Sequence, residues 1–174
     1  MKYYPTLLED YIKELYTTIG IYTPEQLDLQ GIAKEMNIRV IYWDEPSQAL
    51  RSRGRLYIAL NKYLNLPQQW QDFSHELCHI LRHVGDQSFL PPAFKYLQEW
   101  QATNFALNFC VPTFMLEKMT FPWRKQEVIA VIADTFNVEL DFAAFRLEKW
   151  LRKKEEIYFF DHVITRENSY LHRR

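Results

Sequence analysis

Glycine and cysteine are scarce in this 174-residue sequence, which has four glycines and two cysteines. Aromatic residues are frequent instead, at 16% of the chain. This composition excludes a disordered or low-complexity protein and predicts one with a packed core. Cys78 and Cys110 allow at most one internal disulfide. The sequence is therefore unlike the small secreted proteins that disulfides hold together, and we expect both thiols to be reduced.

An excess of charge of either sign is also missing, because 21 Lys and Arg residues stand against 22 Asp and Glu residues. Without a net field, binding of nucleic acid or of an anionic membrane needs a local basic patch. No apolar run approaches the ~20 residues that cross a bilayer, since stretches such as residues 105–114 are interrupted by Asn108 and Pro112. The N-terminal residues show no signal-peptide pattern. We expect a cytoplasmic protein with no membrane segment.

The spacing of apolar residues predicts several helices and a small sheet. Helical spacing recurs over residues 6–19, 67–85, 93–110 and 123–151, the last divided near residues 136–138 and followed by a polar tail. Thr23 and Pro24 begin a further helix toward Met36. Residues 38–43 and 56–60 are rich in β-branched and aromatic side chains, which predicts a small antiparallel sheet. We predict an α+β protein.

The clearest chemical motif is His75-Glu76-Leu77-Cys78-His79, an HExxH sequence within the third predicted helix. His75 and His79 lie one turn apart and about 40° apart around the helix, so both imidazoles can reach one ion. Glu76 lies about 60° beyond His79, where it can address a water on the metal rather than the metal itself. The pattern predicts a zinc site with Glu76 as the catalytic base.

A catalytic zinc ion usually has three protein ligands, so the motif needs one more. His83 lies on the same helix face, but ~12 Å of helix rise separates it from His75, too far for both rings to bind one ion. Glu99 lies on the next predicted helix, and small residues on its face allow that helix to approach closely. We predict Glu99 as the third ligand and place His83 beside the site or in solvent.

These residues resemble a known family of proteins. The run from Asp72 to His83, followed by residues 99–106 and by Val111-Pro112, is similar to the ImmA/IrrE family of bacterial metallopeptidases. That family has HExxH and then a helix with the pattern ExxA, FA and P. The resemblance covers roughly residues 20–150. It implies a zincin-like domain with a metal helix and a helical C-terminal segment, holding one Zn²⁺ on His75, His79 and Glu99.

The resemblance also implies a function and a domain organisation. It implies a phage or mobile-element anti-repressor, a zinc-dependent metallo-endopeptidase that cuts a helix-turn-helix repressor. The peptidase domain with its N-terminal helices is expected over residues 1–118, and a helix-turn-helix-like segment with a tail over residues 119–174. A protein substrate would add a strand to a sheet edge, for which residues 56–60 or 49–53 are candidates.

Four further residues are candidates for supporting roles. Cys78 and Thr103 occupy positions where the family commonly has glycine and asparagine, so each can change how helices approach or how the ligands are supported. We favour core packing for Cys78 over a regulatory thiol. His83, Tyr57 and several other tyrosines are candidates for stabilising the oxyanion of the transition state, and the sequence does not choose among them.

An alternative function rests on the C-terminal segment, which could pack as a helix-turn-helix. Its second helix has a basic side, formed by Arg146, Lys149, Arg152 and Lys153. This reading makes the protein a DNA- or protein-binding regulator with a structural or weakly active metal site. Glu148, Glu155 and Glu156 dilute the basic charge, so we expect no DNA contact and favour a protein substrate as the partner.

Overall fold

The structure is a computed structural model that describes residues 3–83 and 91–171, with side chains up to residue 159. Within those residues, helices precede and follow the three strands of a small sheet along the chain. In chain order the elements are α1 (Leu7–Thr18), a 3-10 turn (Pro24–Gln26), α2 (Leu29–Glu35), β1 (Ile38–Trp43), β2 (Gln48–Ser52), β3 (Arg55–Asn61), α3 (Leu66–Arg82), α4 (Pro92–Cys110), α5 (Thr113–Leu116), α6 (Lys125–Phe136) and α7 (Leu140–Leu171). The predicted α+β class is confirmed.

The three strands form one mixed sheet in the order β1-β3-β2. β2 and β3 are an antiparallel hairpin closed by Arg53 and Gly54, which both have the positive φ that a tight hairpin turn requires. The hairpin reverses the chain, so β3 runs parallel to β1, with Ile38 opposite Leu56. The predicted antiparallel pairing of residues 38–43 with 56–60 is therefore wrong, because the intervening β2 supplies a reversal that the sequence analysis missed.

The second predicted helix is divided in two. The Asp28 side chain accepts a hydrogen bond from the Gly31 N–H and so begins α2 as a separate helix after the 3-10 turn. α3 begins with a reciprocal cap between Asn65 and Gln68 and ends at Arg82. The stop predicted for α3, Gly85, lies outside the described residues.

The C-terminal helix α7 is longer than predicted. It runs for 32 residues, through the segment expected to be a polar tail. That segment is rich in Lys, Arg and Glu, which are good helix formers. An ion pair of 2.9 Å between Arg152 and Glu148, one turn apart, adds to its stability. None of the helices within the described residues combines the length and the apolar character that crossing a membrane requires.

Helix α3 lies at the centre of the molecule, between the sheet and α4. Its Phe73 and Leu77 are fully buried and belong to one hydrophobic core with Ile58 of β3 and Phe105 of α4. Ala102 on α4 is also fully buried and allows the two helices to approach closely. The C-terminal helices complete the same core with Ile132, Ala133, Phe136, Ala143, Leu147 and Trp150.

The basic side of α7 is partly internal. Arg146 is only 2% exposed. It donates hydrogen bonds to the Val111 carbonyl at 3.1 Å and to the Thr113 hydroxyl at 2.7 Å. Lys153 pairs with Glu9 of α1 at 2.6 Å. Two of the four basic residues considered for DNA binding therefore hold the fold together instead of facing a partner.

Candidate metal centre

The face of α3 that carries the candidate metal site follows from how the helix packs. Trp70, Phe73 and Leu77 point into the core. His75 and His79 lie on another face, with side chains that are 25% and 10% exposed, respectively, and approach Glu99 of α4. The helix therefore presents both imidazoles to the neighbouring helix rather than to the hydrophobic core.

The nitrogen and oxygen atoms of these three side chains converge. The Nε2 atoms of His75 and His79 are 3.2 Å apart. The Glu99 carboxylate places Oε2 at 3.1 Å from the His75 Nε2 and Oε1 at 3.7 Å from the His79 Nε2. Ligands of a tetrahedral zinc ion, with bonds of about 2.1 Å, lie about 3.4 Å from one another. The set fits zinc in both donor type and spacing.

The charge state of His79 also suits a ligand. Burial, together with the neighbouring His75, lowers the pKa of His79 to about 4 against the opposing effect of Glu99. His79 is therefore neutral near pH 7, which is the form of histidine that binds metals. Two neutral imidazoles with one carboxylate would leave a bound Zn²⁺ with a net positive charge.

Glu76 is adjacent in sequence to His75, but it lies on the side of α3 that faces the edge strand. Its Oε2 accepts a hydrogen bond of 2.7 Å from the backbone N–H of Ala49 in β2. Burial raises the pKa of Glu76 to about 7, the charges of Asp72 and Glu99 act in the same direction, and the Ala49 bond opposes them. A carboxylate tuned to this range can accept and return a proton near neutral pH.

His83 is the first residue after α3 and is 8% exposed. Its Nδ1 is 2.8 Å from the Nδ1 of His79. Its Nε2 is 3.0 Å from the Oε1 of Gln101. The structure thus places His83 against the Nδ1 of His79, the ring nitrogen that does not face Glu99. Gln101 belongs to no motif and was not predicted, because residues two apart on a helix do not share a face and its position after Glu99 therefore gave no signal.

The remaining candidates, Thr103, Tyr57 and Cys78, have different surroundings. Thr103 is exposed on α4. Tyr57 alternates along β3 with Leu56 and Ile58, which pack against the core that contains α3, so Tyr57 lies on the opposite face of the sheet. Cys78 is fully buried in the core, and burial raises the pKa of its thiol to about 12. At neutral pH that thiol is protonated and unreactive.

Residues 33–148 match Peptidase_M78, the family of IrrE N-terminal-like domains. The chain belongs to this family. The match contains the whole of α3 and α4, and therefore His75, Glu76, His79 and Glu99. Family membership and the three converging donors agree on a metallopeptidase-like fold with a candidate metal site.

Two relatives from Bacillus subtilis (strain 168) resemble this IrrE-like chain over most of its length. The phage-like element PBSX protein XkdA is 41% identical over 156 residues, covering 90% of this chain and 79% of the relative. The uncharacterized protein YqaB is 36% identical over 165 residues, covering 95% of each. A solved structure of a Mycobacterium tuberculosis transcriptional regulator has a TM-score of 0.57 at 14% identity, over 80% of this chain and 46% of that one. The latter likeness concerns the fold alone.

Proposed function

We propose that this protein is a zinc-dependent endopeptidase that cuts a cytosolic regulatory protein, a helix-turn-helix repressor of a phage or mobile element. The observation that carries the proposal is the convergence of His75, His79 and Glu99, with Glu76 beside them. Family membership and similarity to a phage-like element protein support it. The proposed function is therefore that of an anti-repressor.

Each residue of the site has a role in peptide hydrolysis. His75, His79 and Glu99 would hold the ion. A bound Zn²⁺ supplies Lewis acidity and lowers the pKa of its water to roughly 7. Glu76 removes the proton of the attacking water and delivers it to the nitrogen of the leaving amine. The Ala49 N–H holds one oxygen of Glu76, so the other oxygen is available for this proton transfer.

The sheet offers an edge for an extended substrate. β3 has a paired strand on each side, so residues 56–60 cannot accept a further strand. Among the residues that the structure describes, no strand pairs with the outer edge of β2, and the outward N–H of Ala49 reaches Glu76 from that edge. Arg51 fixes this strand to α3 by donating a hydrogen bond of 2.6 Å to the Ile80 carbonyl. A substrate strand added to β2 would therefore bring its backbone beside the base.

The test is co-expression of the repressor from the same genetic element with wild type or with Glu76→Gln, followed by intact-mass analysis. Glutamine keeps the size of the side chain but cannot accept the proton, so we expect cleavage to fall about 10²-fold or more while zinc content is unchanged. Glu35→Gln, an exposed glutamate of α2, is the matched control and should cleave normally. One discrete cut with wild type supports the proposal, and an uncut repressor overturns it.

A further inference from the structure

Beyond the three ligands, a chain of hydrogen bonds runs outward from the metal site. We propose that Gln101 and His83 are positioning residues that set the proton arrangement of His79, so that its Nε2 carries a lone pair rather than a proton. The inference rests on the proposed function, because it concerns the same zinc site. It gives a role to Gln101, which belongs to no motif, and to His83, which is too far from His75 to share an ion with it.

The proton positions follow from the chemistry of each partner. An amide oxygen only accepts hydrogen bonds, so the contact of 3.0 Å from the Gln101 Oε1 requires a proton on the His83 Nε2. A neutral His83 then has a bare Nδ1. The contact of 2.8 Å between the two Nδ1 atoms therefore needs its proton on His79. With Nδ1 protonated, a neutral His79 presents a lone pair at Nε2.

The opposite arrangement would disable the ligand. If the amide of Gln101 were turned so that its NH₂ group faced His83, the imidazole Nε2 would have to accept. The proton of His83 would then move to Nδ1, His79 would accept there, and its own proton would lie on Nε2, where the ion binds. The orientation of one amide thus selects between a metal-binding and a metal-excluding form of His79.

Burial strengthens the influence of these hydrogen bonds on the proton positions of His79 and His83. The His79 side chain is 10% exposed and His83 is 8% exposed, so water is a poor substitute for either partner. The same hydrogen bonds also join the two helices that build the site, since His83 follows α3 and Gln101 lies two residues after Glu99 on α4. The same turn of α4 therefore supplies one ligand and orients another.

His83 does not act as a ligand in this arrangement. Its Nδ1 faces the outer nitrogen of His79, whereas the three converging donors are the Nε2 atoms of His75 and His79 and the Glu99 carboxylate. The ring of His79 lies between His83 and that cluster. A supporting role through His79 is the one that the contacts allow.

The first test measures affinity for Zn²⁺ in competition with a chromophoric chelator. Gln101→Met keeps the length of the side chain but cannot accept the bond, and His83→Phe removes the link, so each should weaken zinc binding about 10-fold or more. Gln101→Glu can only accept and should keep zinc affinity at or above that of wild type. Tyr96→Phe, a change at a position of the same helix that is 75% exposed, should bind like wild type.

The second test reads the proton positions directly and needs no activity. Long-range ¹H–¹⁵N spectra of the metal-free protein should show His79 protonated at Nδ1 in wild type and Gln101→Glu, and a loss of this preference in Gln101→Met. A metal-free spectrum also separates this effect from the added negative charge of glutamate. Thermal unfolding of each variant identifies any that has simply lost its fold.

The outcomes separate the inference from the proposed function. If wild type binds zinc and Gln101→Met binds it equally, with His79 still protonated at Nδ1, the positioning role is overturned and the peptidase proposal stands. If wild type binds no zinc, both fail. If zinc affinity falls in Gln101→Met and is kept in Gln101→Glu, the positioning role is supported even where the repressor is not cut.

Discussion

At the scale of single residues, Glu9 is the acid whose carboxylate accepts the most hydrogen bonds given for the described part of the chain. It is 8% exposed. Its carboxylate accepts hydrogen bonds from Tyr3, the Thr6 N–H, Thr113 and Lys153, all at 2.6–2.7 Å. Burial alone would raise its pKa, but these donors outweigh burial and lower the pKa of Glu9 to about 2. The ionised form of Glu9 is therefore strongly preferred in the folded protein.

Glu9→Gln should destabilise the protein by about 3 kcal/mol at pH 7, because it leaves the buried Arg146 without a counter-charge. The contribution of Glu9 has a definite pH dependence. Its folded pKa lies below the unfolded value, so the stabilisation is fully present above pH ~4.5 and is lost as pH falls toward 2. Urea unfolding of wild type and variant from pH 7 to 2 measures this difference.

Glu14→Gln is the matched control, since Glu14 is exposed on the same helix. Its stability should follow that of wild type at every pH. A gap between wild type and Glu9→Gln that stayed constant down to pH 2 would contradict the assignment of a lowered pKa to Glu9. The comparison isolates one carboxyl group, because all other acids titrate equally in both proteins.

The residues of the site divide into those that local geometry predicts and those that it does not. The approach of His75 and His79 follows from helix periodicity, and the structure brings their Nε2 atoms within 3.2 Å. Glu99 was predicted from motif spacing and from the small residues around it. Gln101 was not predicted, because its contact with His83 depends on how closely α4 packs on α3. Such a contact has no local signature in the sequence.

At the scale of elements, successive backbone N–H groups of the five-residue strand β2 point alternately away from β3 and toward it. The N–H of Ala49 points outward to Glu76. In an antiparallel pair, the next residue then points its N–H inward to β3, so Leu50, which lies opposite Tyr57, is in the ladder. One edge of β2 therefore pairs with β3, and the N–H of Ala49 on the other edge holds Glu76.

Proline substitutions at these two neighbours should have different effects. Ala49→Pro removes an edge N–H that the ladder does not use, so the sheet should persist while Glu76 loses its hydrogen bond and repressor cleavage falls. Leu50→Pro removes a ladder hydrogen bond and should cost about 3 kcal/mol or more. Thermal unfolding and repressor cleavage of both variants measure the two effects. Equal loss of stability would show that the N–H of Ala49 belongs to the ladder after all.

The elements that were predicted poorly from the sequence are those whose secondary structure depends on neighbouring elements of the fold. β2 is mostly polar, so it lacks the alternation that identifies a half-buried strand, and it becomes a strand because β3 lies beside it. The outer half of α7 has no sustained apolar face, yet its helix-forming residues continue a helix already begun in the core. In contrast, α1 is bounded as expected, because Thr6 and Glu9 form a reciprocal cap that the sequence contains locally.

At the scale of the whole molecule, the C-terminal helices share the core of the metal-site helices. Phe136 of α6 and Leu147 of α7 belong to the same hydrophobic cluster as Phe73 and Leu77 of α3. Arg146 adds hydrogen bonds to the segment that follows α4. A core that is continuous between the C-terminal helices and the metal-site helices predicts one cooperative unfolding unit. A substitution that destabilises α6 should therefore also lower the stability of α3.

Phe136→Ala tests this coupling, because Phe136 is 1% exposed and its loss should cost about 3–5 kcal/mol. We expect hydrogen exchange of the most protected α3 amides to quicken by the same free energy, since they open only when the whole molecule unfolds. Leu140→Ala, at a position that is 60% exposed, should leave α3 protection unchanged. If Phe136→Ala weakened only α6 and α7, the chain would instead consist of two independent units with a boundary near residue 118. Because the site depends on how α3 and α4 pack, cooperative unfolding also implies that zinc affinity falls whenever the C-terminal core is weakened enough to populate the unfolded chain.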